Sequence, residues 1–420
     1  MAGLAGIEAL NVYLGAAHLD VRDLAQARGL DMHRFDNLMM LQKTVALPFE
    51  DPVSFAVNAA KPVVDALSED ERRRIEMIIT CTESGVDFGK SMSTYIHDQL
   101  GLHRNCRLFE LKQACYCTTA GYQMALNSVL AEVSPGAKIL VIGTDISRFT
   151  VVDGGRVLSQ DWAFAEPSSG AGAVCLLVSD TPRILSADIG CNGYYSYEVM
   201  DACRPVPDSE AGDTDLSLLS YLDCCEHAFY DYCDRVAEVD YSASFGYLAF
   251  HTPFGGMIKG AHRNLMRKVK RAQPPEIQAD FERRVQPGLT YCQRVGNIMG
   301  GTLFLALAST IDNAPIAEAT RVGLFSYGSG CSSEFFSGVV TPESKERIAS
   351  IGIQQQLESR TPLSVDDYER LLCSNSAVAF GTRNASVRYD DFPDVWRNLQ
   401  GSGRLVFTGI RDFHREYEWV

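Results

Sequence analysis

Cys115 is the first residue whose position in the sequence suggests chemistry. It lies in the stretch FELKQACYCTTAGYQMALNSVL (109–130), where a short apolar approach stops and a helix-like run begins. Unpaired amide groups and the helix dipole at a helix N-terminus favour a thiolate, so a cysteine there can act as a nucleophile. The alternative is a buried structural cysteine, because cysteine is among the most buried residue types. Position alone does not choose between the two.

Two further side chains that can move protons come at the ends of predicted strands. Glu83, in TCTESGVDFGKS, directly follows the predicted strand 75–81, and burial of a carboxyl group raises its pKa toward that of a general base. The alternative is a solvated carboxylate that caps the next helix. His251, in YLAFHTPFGG, ends another predicted strand and precedes two glycines that let a ligand approach the backbone. Its alternative role is to cap part of the core.

Two segments further along the chain could complete a site. Asn297, in RVGNIMGGTLFLALAS, comes just before an apolar helical run. Ser329 lies in a Gly-Ser-Gly turn within GLFSYGSGCSSEFFSG, and the backbone amides of such turns can form an oxyanion hole.

The elements that must position these residues are short apolar runs alternating with amphipathic helical segments. The runs are typical of strands buried on both faces, and we predict that all are central strands: 75–81, 138–144, 173–179, 247–251, 322–328 and 404–410. The predicted helices are 53–67, 90–100, 116–132, 217–236, 257–271, 297–311 and 343–357. This alternation predicts a mixed α/β fold in which layers of helices cover sheets.

The segment 181–216 is rich in turn residues and aromatic residues. We predict that it joins two halves of the chain and contributes to a pocket. The first half is residues 1–180, with Glu83 and Cys115, and the second is residues 181–420, with His251, Asn297 and Ser329.

The composition argues against several classes of protein. A chain of 420 residues with 46% hydrophobic residues can bury a large core. The net charge of −15 disfavours nucleic-acid binding, which needs a surplus of Lys and Arg. The opening MAGLAGIEALNVYLG does not resemble a signal peptide, and no apolar run has membrane-spanning length. With thirteen cysteines, the chain fits a reducing cytoplasm.

The cysteines also raise the question of a metal. Cys224, Cys225 and His227 lie close together in YLDCCEHAFYDYC, but the sequence has no pair of Cys-x-x-Cys hooks with zinc spacing. We therefore expect no metal, and we expect most of these thiols to be small buried hydrophobic groups.

Together these segments carry a family resemblance. TESGVDFGKS, LKQACY, FHTPF, VGNIMGGTLFLAL and SYGSG, in this order between residues 82 and 330, resemble the 3-hydroxy-3-methylglutaryl-CoA (HMG-CoA) synthase family of the thiolase superfamily. FHTPFGGMIKGAH, RFDNLMMLQKTVALPFEDPVSFAVNAAKP and SYLDCCEH are most similar to its polyketide branch, the HMG synthases of β-branching cassettes. The resemblance covers nearly the whole chain.

The resemblance implies a five-layered αβαβα thiolase fold of two similar halves, working as a homodimer. It also implies an aldol-type condensation. Cys115 takes an acetyl group from a donor thioester, Glu83 removes a methyl proton, and His251 polarises the β-ketone of the acceptor. Asn297 helps to hold the acceptor, and the Ser329 amide, in the turn with Gly328, joins that of Cys115 in the oxyanion hole. No cofactor is bound; phosphopantetheine arms of donor and acceptor acyl carrier proteins (ACPs), or CoA, carry the substrates.

The sequence departs from the family pattern at two places. Relatives from primary metabolism tend to carry a lysine soon after the histidine, available to CoA phosphates, where this chain has Gly255 and Gly256. This difference favours an ACP over free CoA as donor. Beside the nucleophile, Cys117 and Thr118 replace very small residues, which implies an altered acyl pocket.

Three alternatives use the same residues. A ketoacyl-ACP synthase III-like enzyme would use Cys115, His251 and Asn297, but its decarboxylation makes a carbanion without a base such as Glu83. A primary-metabolism HMG-CoA synthase would take CoA thioesters. A catalytically silent scaffold would only bind carrier proteins.

A local reversal of charge follows the histidine. The segment KGAHRNLMRKVKRA places six basic residues in one predicted helix of an acidic chain: Lys259, Arg263, Arg267, Lys268, Lys270 and Arg271. The helix could be an ordinary solvated face. Because carrier proteins are acidic, we instead predict that Arg263, Arg267, Lys268 and Arg271 dock the ACP and that Lys259 contacts the substrate.

Overall fold

The computed structural model describes residues 3–147, 165–206 and 209–420. Its strands, in chain order, are β1 (Gly6–Tyr13), β2 (Ala17–Asp20), β3 (Gln42–Val45), β4 (Ile75–Cys81), β5 (Arg107–Leu111), β6 (Lys138–Ile146), β7 (Ala171–Ser179), β8 (Leu185–Ser196), β9 (Ala202–Val206), β10 (Ser209–Gly212), β11 (Tyr247–Phe250), β12 (Thr320–Gly328), β13 (Ser332–Val340), β14 (Thr361–Leu363), β15 (Ala385–Ser386), β16 (Leu405–Arg411) and β17 (His414–Trp419).

The helices, in chain order, are α1 (Val21–Ala27), α2 (Met32–Asp36), α3 (Pro52–Asp65), α4 (Glu69–Arg73), α5 (Ser93–Gln99), α6 (Cys117–Leu130), α7 (Ala165–Ser168), α8 (Thr214–Arg235), α9 (Gly255–Lys270), α10 (Pro274–Arg284), α11 (Gln286–Val295), α12 (Gly301–Asn313), α13 (Pro342–Ala349), α14 (Ile353–Ser359), α15 (Val365–Ser374) and α16 (Pro393–Leu399). A short 3-10 helix, Asn375–Val378, follows α15.

A nine-stranded sheet in the order β11-β12-β13-β8-β1-β7-β6-β4-β5 forms the framework. The strands that precede residue 180 and those that follow it meet where β1 pairs with β8, through Gly6 with Ser186 and Ile7 with Leu185. Gly6 is required there, because a Cβ atom would lie 2.1 Å from the Leu185 carbonyl oxygen. The sheet therefore consists of two parts joined by a short seam.

Helices cover both parts of the sheet and fill the space between them. Helix α3 packs on β1, β6 and β7 on one outside face, and α8 packs on β8 and β13 on the other. Helix α12 lies between the two parts, because it contacts β6 and β7 on one side and β11 and β12 on the other. Helix α6 lies beside it and reaches the second part through Thr119, whose hydroxyl is 2.8 Å from that of Ser326. The five-layered αβαβα arrangement is thus confirmed.

Several predicted elements are confirmed with small shifts, whereas three predictions are wrong. The run 404–410 is not a central strand, because β16 belongs to a separate three-stranded sheet with β15 and β17. The predicted helix 343–357 is two helices, since the left-handed Gly352 (φ 70°) interrupts it. The predicted helix 297–311 begins only at residue 301, because Gly296 (φ 88°) and Met299 (φ 49°) are left-handed.

The connecting segment 181–216 has a structural role in addition to the predicted ones. Its strand β8 is part of the large sheet, between β13 and β1, so the segment is structural as well as connecting. Its hairpin β9–β10 contributes to a pocket, as predicted, through Ala202, Cys203 and Arg204. Residues 207 and 208 of this segment lie outside the described residues.

The middle layer generates a prediction about stability. Phe304 on α12 is fully buried and makes an edge-on contact with Tyr122 of α6, with ring centroids 5.6 Å apart. We expect Phe304→Ala to lower the free energy of unfolding by about 3 to 5 kcal/mol, because it leaves a cavity between the two parts of the sheet. Denaturant unfolding measures this change.

The matched control is Val133→Ala, since Val133 is 79% exposed and follows α6. Its effect should stay within about 0.5 kcal/mol. Equal effects of the two substitutions would contradict the assignment of α12 as the middle layer.

Candidate active site

A cavity of about 780 Å³ brings the predicted site residues together from both halves of the chain. Five of them line it: Glu83, Cys115, His251, Asn297 and Ser329. Each one follows, precedes or interrupts a regular element, so its side chain is free to point into the cavity while the element fixes its backbone. The structure therefore places these residues as the sequence predicted.

Cys115 and Glu83 form the closest pair in the cavity. Glu83 lies two residues after β4 ends, and Cys115 lies two residues before α6 begins. The Cys115 Sγ donates a hydrogen bond to Glu83 Oε1 at 3.1 Å. Strands β4 and β5 are parallel neighbours, so their carboxyl ends carry the two side chains to the same edge of the sheet.

The predicted stabilisation of a Cys115 thiolate by the helix end is wrong for the ground state. Burial, and then the negative charge of Glu83, raise the pKa of the Cys115 thiol well above its usual value. Helix α6 begins only at Cys117, two residues after this thiol. Cys115 is thus a protonated thiol whose proton is directed at a carboxylate.

Glu83 is surrounded by groups that the sequence did not single out. Its backbone amide donates to Asp145 Oδ1 at 2.8 Å, and Arg204 Nε lies 3.7 Å from Glu83 Oε2. Asp145 is fully buried in β6, and burial followed by the charge of Glu83 raises its pKa to about 7. The available sequence signal for Asp145 was the same as for Glu83, a carboxylate at the end of an apolar strand.

His251 is the first residue after β11 and is almost fully buried. Its backbone amide donates to the Phe325 carbonyl oxygen at 2.8 Å, and its own carbonyl oxygen accepts from the Tyr221 hydroxyl at 2.7 Å. Burial lowers the pKa of the imidazole to about 3, so the ring is neutral at physiological pH. Among the described residues, no hydrogen-bond partner reaches its buried Nδ1.

Asn297 is held by hydrogen bonds on its oxygen. Its Oδ1 accepts from the Met299 amide and from the Thr302 hydroxyl, each at 3.0 Å. Its backbone amide donates to the Ser168 carbonyl oxygen at 2.7 Å. With the oxygen occupied by two donors, the amide nitrogen is the part of the side chain that can serve a ligand.

The Gly-Ser-Gly turn packs directly on the loop that carries Cys115, between β5 and α6. A Cβ atom on Gly328 would lie 2.6 Å from both the Gln113 carbonyl oxygen and the Tyr116 amide nitrogen. Gly328 does not line the cavity itself, but its missing side chain lets β12 approach Cys115 this closely. Next to the nucleophile, Ala114 has a left-handed backbone (φ 43°), a strained conformation typical of functional loops.

The altered acyl pocket expected from Cys117 and Thr118 is not seen among the described cavity residues. Both side chains are fully buried and neither lines the cavity. They point into the middle layer instead, where a Cβ atom on Gly300 would lie 2.4 Å from the Thr118 hydroxyl and 2.8 Å from Cys117 Sγ. The larger residues are thus accommodated opposite Gly300, the N-cap residue of α12.

Gly255 and Gly256, which stand near the lysine position of relatives, are tightly packed. A Cβ atom on Gly256 would lie 1.8 Å from the Asn37 carbonyl oxygen, and one on Gly255 would lie 2.9 Å from the Met39 Cβ. A lysine at either position would therefore displace the backbone after α2. The start of α9 is closed against the N-terminal segment and has no room for a long basic side chain.

Lys259 is not one of the described residues that line the cavity. It is exposed and lines a neighbouring groove of about 610 Å³, together with Arg263 and Arg267. Asn37 lines both spaces, so the groove adjoins the cavity. A substrate held at Cys115 could contact Lys259 only through the part that extends out of the cavity.

The other cations of α9 have different surroundings. Lys268 Nζ lies 2.5 Å from Glu226 Oε2, and Lys270 forms an ion pair with Asp240. Arg271 is exposed and ends the helix in a left-handed conformation (φ 54°). The six basic residues therefore do not form one uniform face, and only Lys259, Arg263 and Arg267 line the groove among the described residues.

All thirteen cysteines are free thiols, and seven of them are buried, including Cys224 and Cys225. Across residues 3–147, 165–206 and 209–420, no group of three or more His, Cys, Asp or Glu side chains is placed to hold a metal ion. Within the same ranges, none of the helices has the length and hydropathy needed to cross a bilayer.

Comparison with known proteins agrees with this geometry. Residues 264–387 match the model of the hydroxymethylglutaryl-coenzyme A synthase C-terminal region. The polyketide biosynthesis 3-hydroxy-3-methylglutaryl-ACP synthase PksG of Bacillus subtilis is 59% identical over 416 residues, 99% of each chain. The hydroxymethylglutaryl-CoA synthase of Enterococcus faecalis is 32% identical over 372 residues, 87% of this chain and 91% of the relative.

A solved structure gives the same result. The HMG synthase of the curacin biosynthetic pathway, in complex with a holo donor ACP, superposes with a TM-score of 0.96 at 66% identity, covering 99% of this chain and 100% of the other. Fold, site and relatives define an acyl-condensing enzyme with a thiolase-like fold. The chain belongs to the hydroxymethylglutaryl-CoA synthase family. The family and enzyme class therefore set aside two alternatives, the ketoacyl-ACP synthase and the catalytically silent scaffold.

The raised pKa of Cys115 generates a prediction about its reactivity. Because alkylation requires the thiolate, the rate of Cys115 alkylation by iodoacetamide should keep rising between about pH 7 and about pH 10. Glu83→Gln removes a negative neighbour, which lowers the pKa of the thiol, so the variant should react faster at each pH. Peptide mass spectrometry measures both rates.

The exposed Cys373 provides an internal reference in every sample, because no change at Glu83 should alter its rate. A plateau of Cys115 labelling below about pH 8 would mean that the thiol has a normal or lowered pKa.

Proposed function

We propose that this enzyme is the HMG synthase of a polyketide β-branching cassette. It would condense an acetyl group, delivered as acetyl-ACP, with the β-ketone of an ACP-bound β-ketoacyl intermediate. The main support is the resemblance, over 99% of both chains, to a polyketide HMG-ACP synthase at 59% identity, against 32% for a relative named for CoA. The packed glycines 255 and 256 support the same choice, because they leave no place for the CoA-binding lysine of relatives.

In the first step, Cys115 would attack the carbonyl carbon of the donor thioester. The thiol proton would pass to Glu83. Its Oε1 already accepts a hydrogen bond from Cys115 Sγ, 3.1 Å away, so no preformed thiolate is required. The amides of Cys115 and Ser329 would stabilise the oxyanion. Glu83 then returns the proton to the sulfur of the donor's phosphopantetheine arm, which leaves as a thiol, and the acetyl group remains on Sγ.

In the second step, Glu83 would remove a proton from the acetyl methyl group. The enolate carbon attacks the β-ketone carbon of the acceptor, and the tertiary alkoxide that forms takes up one proton, which balances the methyl proton removed by Glu83. His251 would polarise this ketone as a neutral hydrogen-bond donor, and Asn297 would hold the acceptor through its amide nitrogen. Water finally hydrolyses the thioester to Cys115, which frees a carboxylate on the new branch and restores the thiol.

The proposal also includes the partners and the organisation of the chain. Phosphopantetheine arms of a donor and an acceptor ACP carry both substrates, without a bound cofactor or metal. The halves 1–180 and 181–420 form one catalytic unit, and two chains form a homodimer in the cytoplasm.

The carrier proteins would dock on α9 beside the cavity. Arg263 and Arg267, four residues apart, lie on one face of the helix and line the groove that adjoins the cavity. Lys268 and Arg271, further along the same helix, would also contact the carrier protein. Lys259 would contact the extended phosphopantetheine arm. In a chain of net charge −15, a local basic groove attracts an acidic carrier and orients it toward the cavity.

The three roles can be separated by intact-mass analysis. After incubation with acetyl-ACP, Cys115→Ala should gain no acetyl group, because the acyl acceptor is missing. Glu83→Gln should still acylate but should not condense, because the methyl proton has no base. His251→Ala should acylate normally and condense slowly. Normal condensation by the histidine variant would remove His251 from the mechanism.

The docking surface can be tested by charge reversal. The double variant Arg263→Glu/Arg267→Glu should slow acylation by acetyl-ACP about tenfold or more at low salt, with a steep salt dependence. Acylation by acetyl-pantetheine should be nearly unchanged, because the small thioester does not need the groove. Rapid-quench mass spectrometry of acetyl-enzyme gives both rates.

Lys270→Gln is the matched control, because Lys270 lies on the same helix but pairs with Asp240 away from the groove. It should leave both rates nearly unchanged. If the double reversal slows the small donor as much as acetyl-ACP, then the helix supports the cavity and does not select the carrier.

A further inference from the structure

Arg204 lies on the hairpin β9–β10 and faces Glu83 across the cavity wall. Its Nε is 3.7 Å from Glu83 Oε2, and its Nη1 donates to the Glu83 carbonyl oxygen at 3.3 Å and to the Ser84 hydroxyl at 3.4 Å. Both side chains are largely buried, at 14% and 16% exposure. The guanidinium therefore contacts the loop that follows β4 at both its side chain and its backbone.

The two carboxylate oxygens of Glu83 have different neighbours. Oε1 accepts the hydrogen bond from the Cys115 thiol, and Oε2 faces Arg204. A carboxylate with no proton on either oxygen fits this arrangement, because one oxygen accepts a hydrogen bond from the thiol and the other faces a cation. The arrangement also fixes the rotation of the carboxylate, so that Oε1 points at Sγ.

Other titratable groups around Glu83 come from several elements. Asp145 on β6 adds negative charge, and its own pKa is raised to about 7 in the same surroundings. Cys115, before α6, is a neutral thiol, and His251, after β11, is a neutral imidazole. Lys112, after β5, lines the cavity but is exposed, so solvent screens its charge.

Burial and a nearby carboxylate each favour the protonated form of a carboxyl group. A protonated Glu83 could accept neither the thiol proton nor a methyl proton. An opposite charge within about 4 Å reverses this tendency and lowers a carboxyl pKa by about 1 to 3 units. Arg204 meets this condition at a largely buried position, where screening is weak.

We propose that Arg204 is a positioning residue for the condensation: it keeps Glu83 ionised and directs Oε1 toward the sulfur that carries the acetyl group. This inference rests on the proposed function, since it concerns the base that removes the methyl proton. It assigns a role to the hairpin β9–β10, which crosses from the second half of the chain to the catalytic base of the first. A merely structural arginine would not change the pH dependence of that base.

The test measures proton removal without an acceptor. Acetyl-Cys115 enzyme is formed with acetyl-pantetheine and transferred to D₂O buffers across a range of pH, and exchange of the methyl hydrogens is followed by mass spectrometry. In the wild-type enzyme, the plot of exchange rate against pH should fall at low pH, and this acidic limb reports the ionisation of Glu83. In Arg204→Gln this limb should move upward by about one to two pH units, because loss of the cation raises the pKa of Glu83.

Three further variants sharpen the result. Arg204→Lys keeps the charge and should recover most of the wild-type limb. Lys112→Gln removes an exposed cation from the same cavity and should move the limb by less than about 0.3 units. Glu83→Gln sets the background of uncatalysed exchange. Thermal unfolding midpoints of all variants confirm that each one is folded.

The outcomes separate this inference from the proposed function. If wild type acquires no acetyl group on Cys115, the proposed function itself is wrong. If wild type acylates and exchanges, but Arg204→Gln keeps the same acidic limb, Arg204 does not control Glu83. A change confined to the KM for acetyl-pantetheine would likewise overturn the inference and make Arg204 a substrate-binding residue.

Discussion

The hydrogen bond between the Cys115 thiol and the Glu83 carboxylate is the interaction on which the rest of the structure depends. It joins the ends of two parallel strands in a cavity closed by the second half of the chain. Burial makes the thiol hard to ionise, so its proton needs an acceptor within hydrogen-bond reach, which Glu83 provides. In the proposed mechanism, this one contact would supply both a proton route for thioester exchange and a base for the methyl group.

This pair is unfavourable to bury, and the surrounding structure offsets the cost. Asp145 Oδ1 collects the amides of Glu83 and Ser84 and so orders the loop after β4. Arg204 brings a compensating charge from the opposite half of the chain. Buried charges are stable only when paired and hydrogen-bonded, so the loop, the hairpin and the buried aspartate form one interdependent unit.

Glycines set how closely the two halves approach. Gly328 lets β12 pack against the nucleophile loop, and Gly256 lets α9 pack against the segment after α2. The second contact closes the position where relatives carry a lysine and leaves the basic side chains further along α9, at Arg263 and Arg267. In the proposed function, selection of the carrier would thus depend on a groove outside the cavity, while the chemistry would depend on the carboxylate, thiol and imidazole inside it.

The sequence by itself determined the local features: apolar runs marked most of the central strands, and Glu83, His251 and Asn297 were found because they flank such elements. It missed β1, β5, β8 and β13, in which polar or glycine residues interrupt the apolar pattern, and it misplaced 404–410, which pairs with the nearby β15 and β17 in a separate small sheet. It also predicted a thiolate at Cys115, because helix position is local. Only the tertiary structure decided the pKa of that thiol, the placement of Asp145 and Arg204 beside Glu83, and the split of the α9 cations, since burial and charge at these sites come from residues far apart in sequence.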